Sequence, residues 1–369
     1  MKIILVAGTR PNFVKIAPIM AAFARAKQTH PSLEYVLVHT GQHYDTRLSD
    51  SFFTDLHIPD PDYHLNVGSG THTVQTATIM MRFEEVVQKE KPDWVLVVGD
   101  VNSTMACSLV AKKMGIRLAH VEGGLRSFDQ EMPEEINRMV TDAITDMFFT
   151  TSDYANENLR KEGHADRKIH FVGNTMIDTL VAQLPHLRKP QEVSHVLDSG
   201  KQYVVLTLHR PSNVDNMDKL MQLLNEICLA LGDKMIVFPA HPRTQKSLAE
   251  QAQLPANLIL APPIPYLEFI YLLKHSWLTV TDSGGIQEET TFLGIPCLTM
   301  RHNTERPETI SMGTNVLIGD DMHLLRDQIH DLQKGTWKMG TIPPLWDGKA
   351  AERIVGILTS VSMVAVSLT

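Results

Sequence analysis

The feature that most constrains this chain is an alternation that repeats along its length. A short β-branched apolar run gives way to a polar or glycine-bearing break, and a helix-length amphipathic stretch follows. Runs at Lys2–Ala7, Tyr35–His39, Trp94–Val98, Leu118–Val121, Met147–Thr150 and Ile169–Val172 read as strands. They are continuously apolar rather than alternating. A strand needs that when both its faces are covered, so the runs predict a parallel sheet between two helix layers. Val14–Ala26, Val74–Glu90, Asn102–Met114 and Glu135–Ile144 read as covering helices. The plan then starts again, with strands at Tyr203–Leu208, Met235–Phe238, Leu258–Leu260, Leu278–Thr281 and Cys297–Met300. Helices are expected between them at Met217–Leu231, Leu267–His275 and Ile286–Leu293. At 369 residues the chain is too long for one ordinary doubly wound domain and suits two. The expectation is therefore an α/β protein of two Rossmann-like domains with parallel sheets, over 1–175 and 176–349. The Pro- and charge-rich stretch 184–201 is taken as the connection, and a last helix near 350–369 is expected to return to the first domain.

Composition narrows the function classes. A hydrophobic share of 43% against 21% charged residues favours a packed core over disorder. The formal charge of −8 argues against nucleic acid, whose phosphates need a basic face, but says little about a small anion held by a few local cations. No segment approaches the roughly 20 apolar residues that span a bilayer, and the apolar N-terminal run stops too soon for a secretory signal. Cys107, Cys228 and Cys297 lie far apart without metal spacing and read as buried structural residues. No metal, no membrane and a reducing, cytoplasmic setting are expected.

In sheets of this kind, ligands bind outside the carboxyl ends of the strands, so the residues that follow each strand matter most. Gly8-Thr9-Arg10-Pro11-Asn12 and Lys15 follow the first, and Gly99-Asp100 the third. His120 and Glu122 close the fourth, with Pro133-Glu134-Glu135 soon after. In the second half, His209-Arg210, His241-Pro242-Arg243 and Asp282-Ser283-Gly284-Gly285 occupy the same kind of place. These segments are expected to open onto one interdomain cleft. The Ser283-Gly284-Gly285 turn offers N–H groups, a hydroxyl and a helix dipole to a phosphate, or else Ser283 is an ordinary N-cap. Glu289 reads as a partner for ribose hydroxyls or a solvated acid. Arg10 and Lys15 read as cations for a diphosphate or as surface residues. Asp100, Glu122 and Glu134 suit proton transfer, with helix capping as the plainer role for Asp100 and Glu134. His120 and His209 are as readily structural. The phosphate loops Gly-x-Gly-x-x-Gly and Walker A are absent, and Gly68-Ser69-Gly70 reads as a flexible loop.

Taken in order, Gly8-Thr9-Arg10-Pro11, Thr40-Gly41-Gln42-His43, Gly99-Asp100 with Ser103-Thr104, and His120-Val121-Glu122 with Gly124-Leu125-Arg126 form a specific set. Pro133-Glu134-Glu135 with Asn137-Arg138, His209-Arg210, Asp282-Ser283-Gly284-Gly285 with Gln287-Glu288-Glu289, and Thr304-Glu305-Arg306-Pro307-Glu308 extend it. The set resembles the non-hydrolysing UDP-N-acetylglucosamine 2-epimerases over essentially the whole chain. The resemblance implies a GT-B-type arrangement of the domains, with UDP mostly on the second. It also implies interconversion of UDP-GlcNAc and UDP-ManNAc by elimination and re-addition of UDP through 2-acetamidoglucal, without cofactor. Asp100, Glu122, Glu134 and His209 match the family's catalytic residues. Arg10, Lys15, Phe269, Ser283, Gly284, Gly285, Glu289 and Arg306 match positions around UDP. A homodimer is implied as well. Gln42, His43 and His241 match the site of an activating second UDP-GlcNAc, but the two arginines that help hold it are missing. Asn12 and Pro211-Ser212-Asn213 also depart from the family pattern. A hydrolysing relative, an epimerase of a modified UDP-sugar, a GT-B glycosyltransferase and an inactive sugar-nucleotide sensor remain alternatives.

Overall fold

The computed structural model describes residues 1–41, 53–250 and 254–366. Its contacts divide the chain into two compact units, Met1–Ala182 with Pro344–Thr369, and Gln183–Pro343. In the first unit, seven strands lie in the order β3-β2-β1-β4-β5-β6-β7, every neighbouring pair parallel. They are β1 (Lys2–Ala7), β2 (Glu34–His39), β3 (Tyr63–His64), β4 (Trp94–Val98), β5 (Arg117–Val121), β6 (Met147–Thr150) and β7 (Ile169–Phe171). The longer helices of the unit are α1 (Arg10–Thr29), α2 (His72–Glu90), α3 (Asn102–Lys113), α4 (Pro133–Ala143), α5 (Asp153–Lys161) and α6 (Thr175–Gln183). Ile3, Ile4 and Leu5 on β1 and Val95, Leu96 and Val97 on β4 are all fully buried. Both faces of these central strands are covered, which accounts for their unbroken apolar sequence. On one face, Ile79, Phe83, Val86 and Val87 of α2 pack with Cys107 and Val110 of α3.

The second unit repeats the design with six parallel strands in the order β10-β9-β8-β11-β12-β13. These are β8 (Tyr203–Thr207), β9 (Met235–Pro239), β10 (Leu258–Ala261), β11 (Leu278–Thr281), β12 (Cys297–Thr299) and β13 (Asn315–Leu317). Its longer helices are α7 (Met217–Leu231), α8 (Pro242–Ala249), α9 (Tyr266–Lys274), α10 (Gly284–Leu293) and α11 (Met322–Lys334). Leu220, Leu224, Ile227 and Leu231, spaced at helical intervals on α7, build one wall of its core. The strands β3 and β13 add to the expected set. They hold two and three residues at sheet edges, too few to carry a periodic signal. All three cysteines are free and buried.

After the second unit the chain comes back to the first through α12 (Ala350–Val366), which packs along α1. Asp178 of α6 makes this docking specific. Its carboxylate accepts the Ala350 and Ala351 N–H groups at 3.1 and 2.7 Å and so caps the helix from a distance. Just before the helix, Trp346 is 2% exposed and donates its indole N–H to the Thr151 carbonyl at 3.1 Å. Trp346→Ala is therefore expected to cost about 3–5 kcal/mol of stability, as for other buried aromatics. Urea unfolding measures it, and an unchanged midpoint would show that the return of the chain does not depend on this side chain.

Candidate active site

A doubly wound sheet opens a crevice where its strand order reverses, because the loops on either side depart in opposite directions. In the first unit this happens between β1 and β4. Val98 and Val121 are register partners, and the Gly99 N–H donates to the Val121 carbonyl at 3.0 Å. Glu122 is thus delivered beside the Gly99-Asp100 turn. Gly99 has φ +68°, and a Cβ there would lie 3.3 Å from Lys15 Nζ and 3.7 Å from Glu122 Oε2. Glycine meets both demands without strain. Lys15 Nζ sits 2.6 Å from Glu122 Oε2, the two side chains 7% and 2% exposed. The other carboxylate oxygen of Glu122 is buried without a hydrogen-bond partner among the described residues. Glu122 itself has φ +71°, a conformation held by its N–H bond to the Phe149 carbonyl at 2.9 Å. Backbone of this kind in a residue other than glycine concentrates at functional sites.

Asp100 is partly exposed and pairs with Arg138 of α4. Arg138 Nε also donates to Glu135 Oε2 at 2.8 Å, and that carboxylate accepts the Ser127 and Phe128 N–H groups at 3.0 and 2.9 Å. Asn137 donates to the Asp100 carbonyl at 2.8 Å. One short stretch of helix therefore grips the Asp100 turn by side chain and backbone together. Glu134 lies half-buried in the first turn of the same helix. The capping alternative does not hold for either acid: the N-cap residues are Val101 and Met132, neither with a side-chain cap bond. Asn12 links β1 to β4. It accepts from the Gly8 and Thr9 N–H groups at 3.2 and 3.0 Å and donates to the Val98 carbonyl at 3.0 Å. Arg10 opens α1, but its side chain, like Gln42 and His43, falls outside the described set.

In the second unit the order reverses between β8 and β11, and His209 and Asp282 follow these two strands. Asp282 is fully buried and accepts the His209 and Arg210 N–H groups, at 3.1 and 3.0 Å, and the Asn213 amide at 2.9 Å. His209 Nδ1 lies 2.7 Å from Asp282 Oδ1, while the imidazole is 62% exposed. Burial works against ionising Asp282, yet His209, Asn213 and the Arg210 N–H hold its carboxyl below the usual range. The histidine is thus oriented by a carboxylate while its ring stays largely open to solvent. His241 lines a cavity of about 550 Å³ in this unit together with His209, Arg243 and Thr244. Its Nδ1 accepts the Arg243 N–H at 3.3 Å.

Ser283 stands at the N-cap of α10 with no side-chain cap bond, so its hydroxyl is not absorbed as an ordinary cap. A Cβ at Gly284 would come within 2.7 Å of Arg306 Nη1 and 2.9 Å of Glu305 Oε1, so a larger residue there would displace the tips of these two side chains. Gly285 follows in the first turn, and Arg306 Nε also meets Glu288 at 2.7 Å. Phe269 is half-buried on α9. Glu289 is 4% exposed and accepts from the Tyr266 hydroxyl at 3.2 Å, which corrects the solvated-acid reading. Sequence reasoning passed over Arg138, Glu135 and Asp282 as site residues. The i, i+3 spacing of Glu135 and Arg138 was the available signal for the first two.

Burial pushes the Glu289 carboxyl up to about 8. The folded protein then holds this proton more tightly than the unfolded chain does. The resulting stability is complete below about pH 4.5 and is lost as pH climbs through about 8. Glu289→Gln keeps the neutral shape. It is expected to exceed the parent in stability by on the order of a few kcal/mol above that pH and to converge with it below pH ~4.5. Thermal melts at the two extremes test this, and a gap that does not widen with pH would count against a buried, proton-holding Glu289.

The family model described as UDP-N-acetylglucosamine 2-epimerase matches residues 25–359. A Methanocaldococcus jannaschii protein named UDP-N-acetylglucosamine 2-epimerase is 42% identical over 97% of this chain and 99% of its own length. A crystal structure of the enzyme from that organism, in complex with UDP-GlcNAc and UDP, superposes with a TM-score of 0.86 at 42% identity, covering 98% of this chain and 100% of that one. A Pseudomonas aeruginosa protein named UDP-2,3-diacetamido-2,3-dideoxy-D-glucuronate 2-epimerase is 40% identical over 86% of this chain and 88% of its own. With the model spanning nearly its full length and relatives this similar at both levels, the chain belongs to the UDP-N-acetylglucosamine 2-epimerase family.

Proposed function

We propose that the protein interconverts UDP-GlcNAc and UDP-ManNAc by inverting C2 of the sugar. Glu122 carries the reading: one carboxylate oxygen is fixed by Lys15 and the other is buried without a partner among the described residues. A desolvated oxygen of this kind costs stability, and such a cost is typical of a group kept for chemistry. Asp100, Glu122 and Glu134 are assigned as the acids and bases. A carboxylate takes the C2 proton, the C1–O bond breaks, and UDP leaves with that electron pair, forming the C1–C2 double bond of 2-acetamidoglucal. UDP then adds back at C1 while C2 is protonated on its other face. The second unit serves the nucleotide. Ser283, Gly284 and Gly285 at the N-terminus of α10 receive the diphosphate with Arg306, and Glu289 and Phe269 take the ribose and uracil. His209, aimed by Asp282, assists the departing phosphate. Lys15, paired with Glu122, holds that acid in place. Three cysteines without a disulfide support a cytoplasmic setting. Among the described residues no helix is long and apolar enough to cross a membrane. A homodimer, as the family resemblance implies, is part of the same reading. A modified UDP-sugar is the second reading, favoured by the similarity to the diacetamido-glucuronate enzyme.

Proton NMR of UDP-GlcNAc with the protein in D2O tests the assignment. UDP-ManNAc carrying deuterium at C2 is the expected product. Free ManNAc would instead make the enzyme hydrolytic, and an inert UDP-GlcNAc with turnover of a diacetamido derivative would establish the second reading. Asp100→Asn and Glu122→Gln are each expected to lower kcat by about 10²–10⁴-fold, the range for a lost acid or base, with UDP affinity retained. Normal turnover by either variant removes that residue from the mechanism. Ser283→Ala is expected to weaken UDP binding about 2–10-fold in calorimetry, the value of one hydrogen bond. Unchanged affinity would exclude the hydroxyl from the phosphate site.

A further inference from the structure

His120 lies on β5, fully buried, two residues before Glu122. Its Nε2 is 2.8 Å from the Gly99 carbonyl and its Nδ1 is 2.6 Å from Asp142 Oδ1. A carbonyl only accepts, so Nε2–H donates to Gly99. Asp142 is also fully buried. Burial opposes its ionisation, but His120, Arg126 and the Gly124 N–H hold its carboxyl below the usual range, so it too is an acceptor. Its second oxygen accepts the Gly124 N–H at 2.9 Å and meets Arg126 at 2.7 Å. Arg126 in turn is anchored to Glu162 by two bonds of 2.8 and 2.6 Å. The network has two outputs. Through His120 it holds the carbonyl of Gly99, the residue before Asp100. Through Gly124 it holds the chain two residues after Glu122.

We propose that His120, backed by Asp142, is a positioning residue that sets the Asp100 and Glu122 turns in mutual register. The inference rests on the assignment of those two acids above. The geometry asks more of His120 than filling space. An apolar residue would pack at this buried place, whereas the imidazole spans two acceptors on different elements and connects both acid-bearing turns to one carboxylate. Gly99 adopts the left-handed backbone, and the bond from His120 to its carbonyl fixes the near end of the Asp100 turn, whose far end Asn137 and Arg138 hold. Around metal sites, partners one step behind the reacting groups are worth about 10–100-fold when removed, and a bond set behind two catalytic acids is expected to act on the same scale.

Two substitutions separate the halves of the bridge. Asparagine places its amide where Nδ1 sits, keeping the reach to Asp142 but losing Gly99; glutamine reaches to the Nε2 position and keeps Gly99. His120→Asn is expected to lower kcat about 10–100-fold, with KM and UDP affinity within about twofold of the parent. His120→Gln is expected to recover most of that loss, although its bond to Asp142 is gone. The deuterium-exchange assay supplies kcat, calorimetry with UDP the affinity, and circular dichroism the folded fraction. A kcat unchanged in His120→Asn overturns the proposal, as does an equal loss in both variants that follows the folded fraction. Asp100→Asn run alongside distinguishes the two levels. If it turns over normally, the assignment of the acids is wrong; if it is inactive while His120→Asn is not, only the positioning role fails.

Discussion

Parallel pairing of β1, β4 and β5 is the constraint on which the first unit's chemistry depends. Parallel strands end on the same edge, so the residues after each of them are brought together whatever their separation in sequence. Because Val98 pairs with Val121, the Gly99-Asp100 turn and Glu122 leave the sheet side by side. Lys15 enters the same place from the first turns of α1, which β1 launches. The second unit uses the same device at β8 and β11, where His209 meets Asp282. Order reversal at each point keeps the following helices from covering the edge. What the core dictates is therefore a location; the side chains there are left to chemistry.

Placing charges at a sheet edge that is largely buried creates a difficulty, since an isolated ion out of water is costly. The structure answers by pairing nearly every one. Glu122 has Lys15, Asp142 has His120 and Arg126, Asp282 has His209, and Glu288 and Glu305 share Arg306. Such pairs give little net stability by comparison with apolar packing, but each holds its members in a single orientation. Two of the proposed site acids stand apart among the described residues: Glu122, whose second oxygen has no hydrogen-bond partner, and Glu289, whose carboxyl avoids the cost by keeping its proton to about pH 8. Each is proposed to face a ligand in its own unit, and a group kept out of balance has something to gain from one.

Much of this could be read from residues alone. The central strands were visible because a fully covered strand must be apolar throughout, and the breaks after them named Asp100, Glu122, His209 and Ser283. Lost to sequence reading were elements whose signal is too short, such as Tyr63–His64, and roles set by contact at a distance. Nothing about Asn12 announces that its amide ties β1 to the end of β4 across 86 residues. Nor does the sequence show that Asp178 caps a helix 172 residues later. Glu289 looked like a solvated acid because a single carboxylate on an amphipathic helix usually is one, and only the packing of Tyr266 over it reverses that.

The sequence by itself determined the fold class, the existence of two α/β units and the identity of most groups at the strand ends, because periodicity and strand-end chemistry are local properties. Tertiary structure decided which of those groups meet, which are buried, and which carry a partner. It turned His120 from a core histidine into a bridge between two turns, and Lys15 from a free cation into the partner of Glu122. Those outcomes follow from register and burial, which depend on residues far apart in the chain. No local pattern records them.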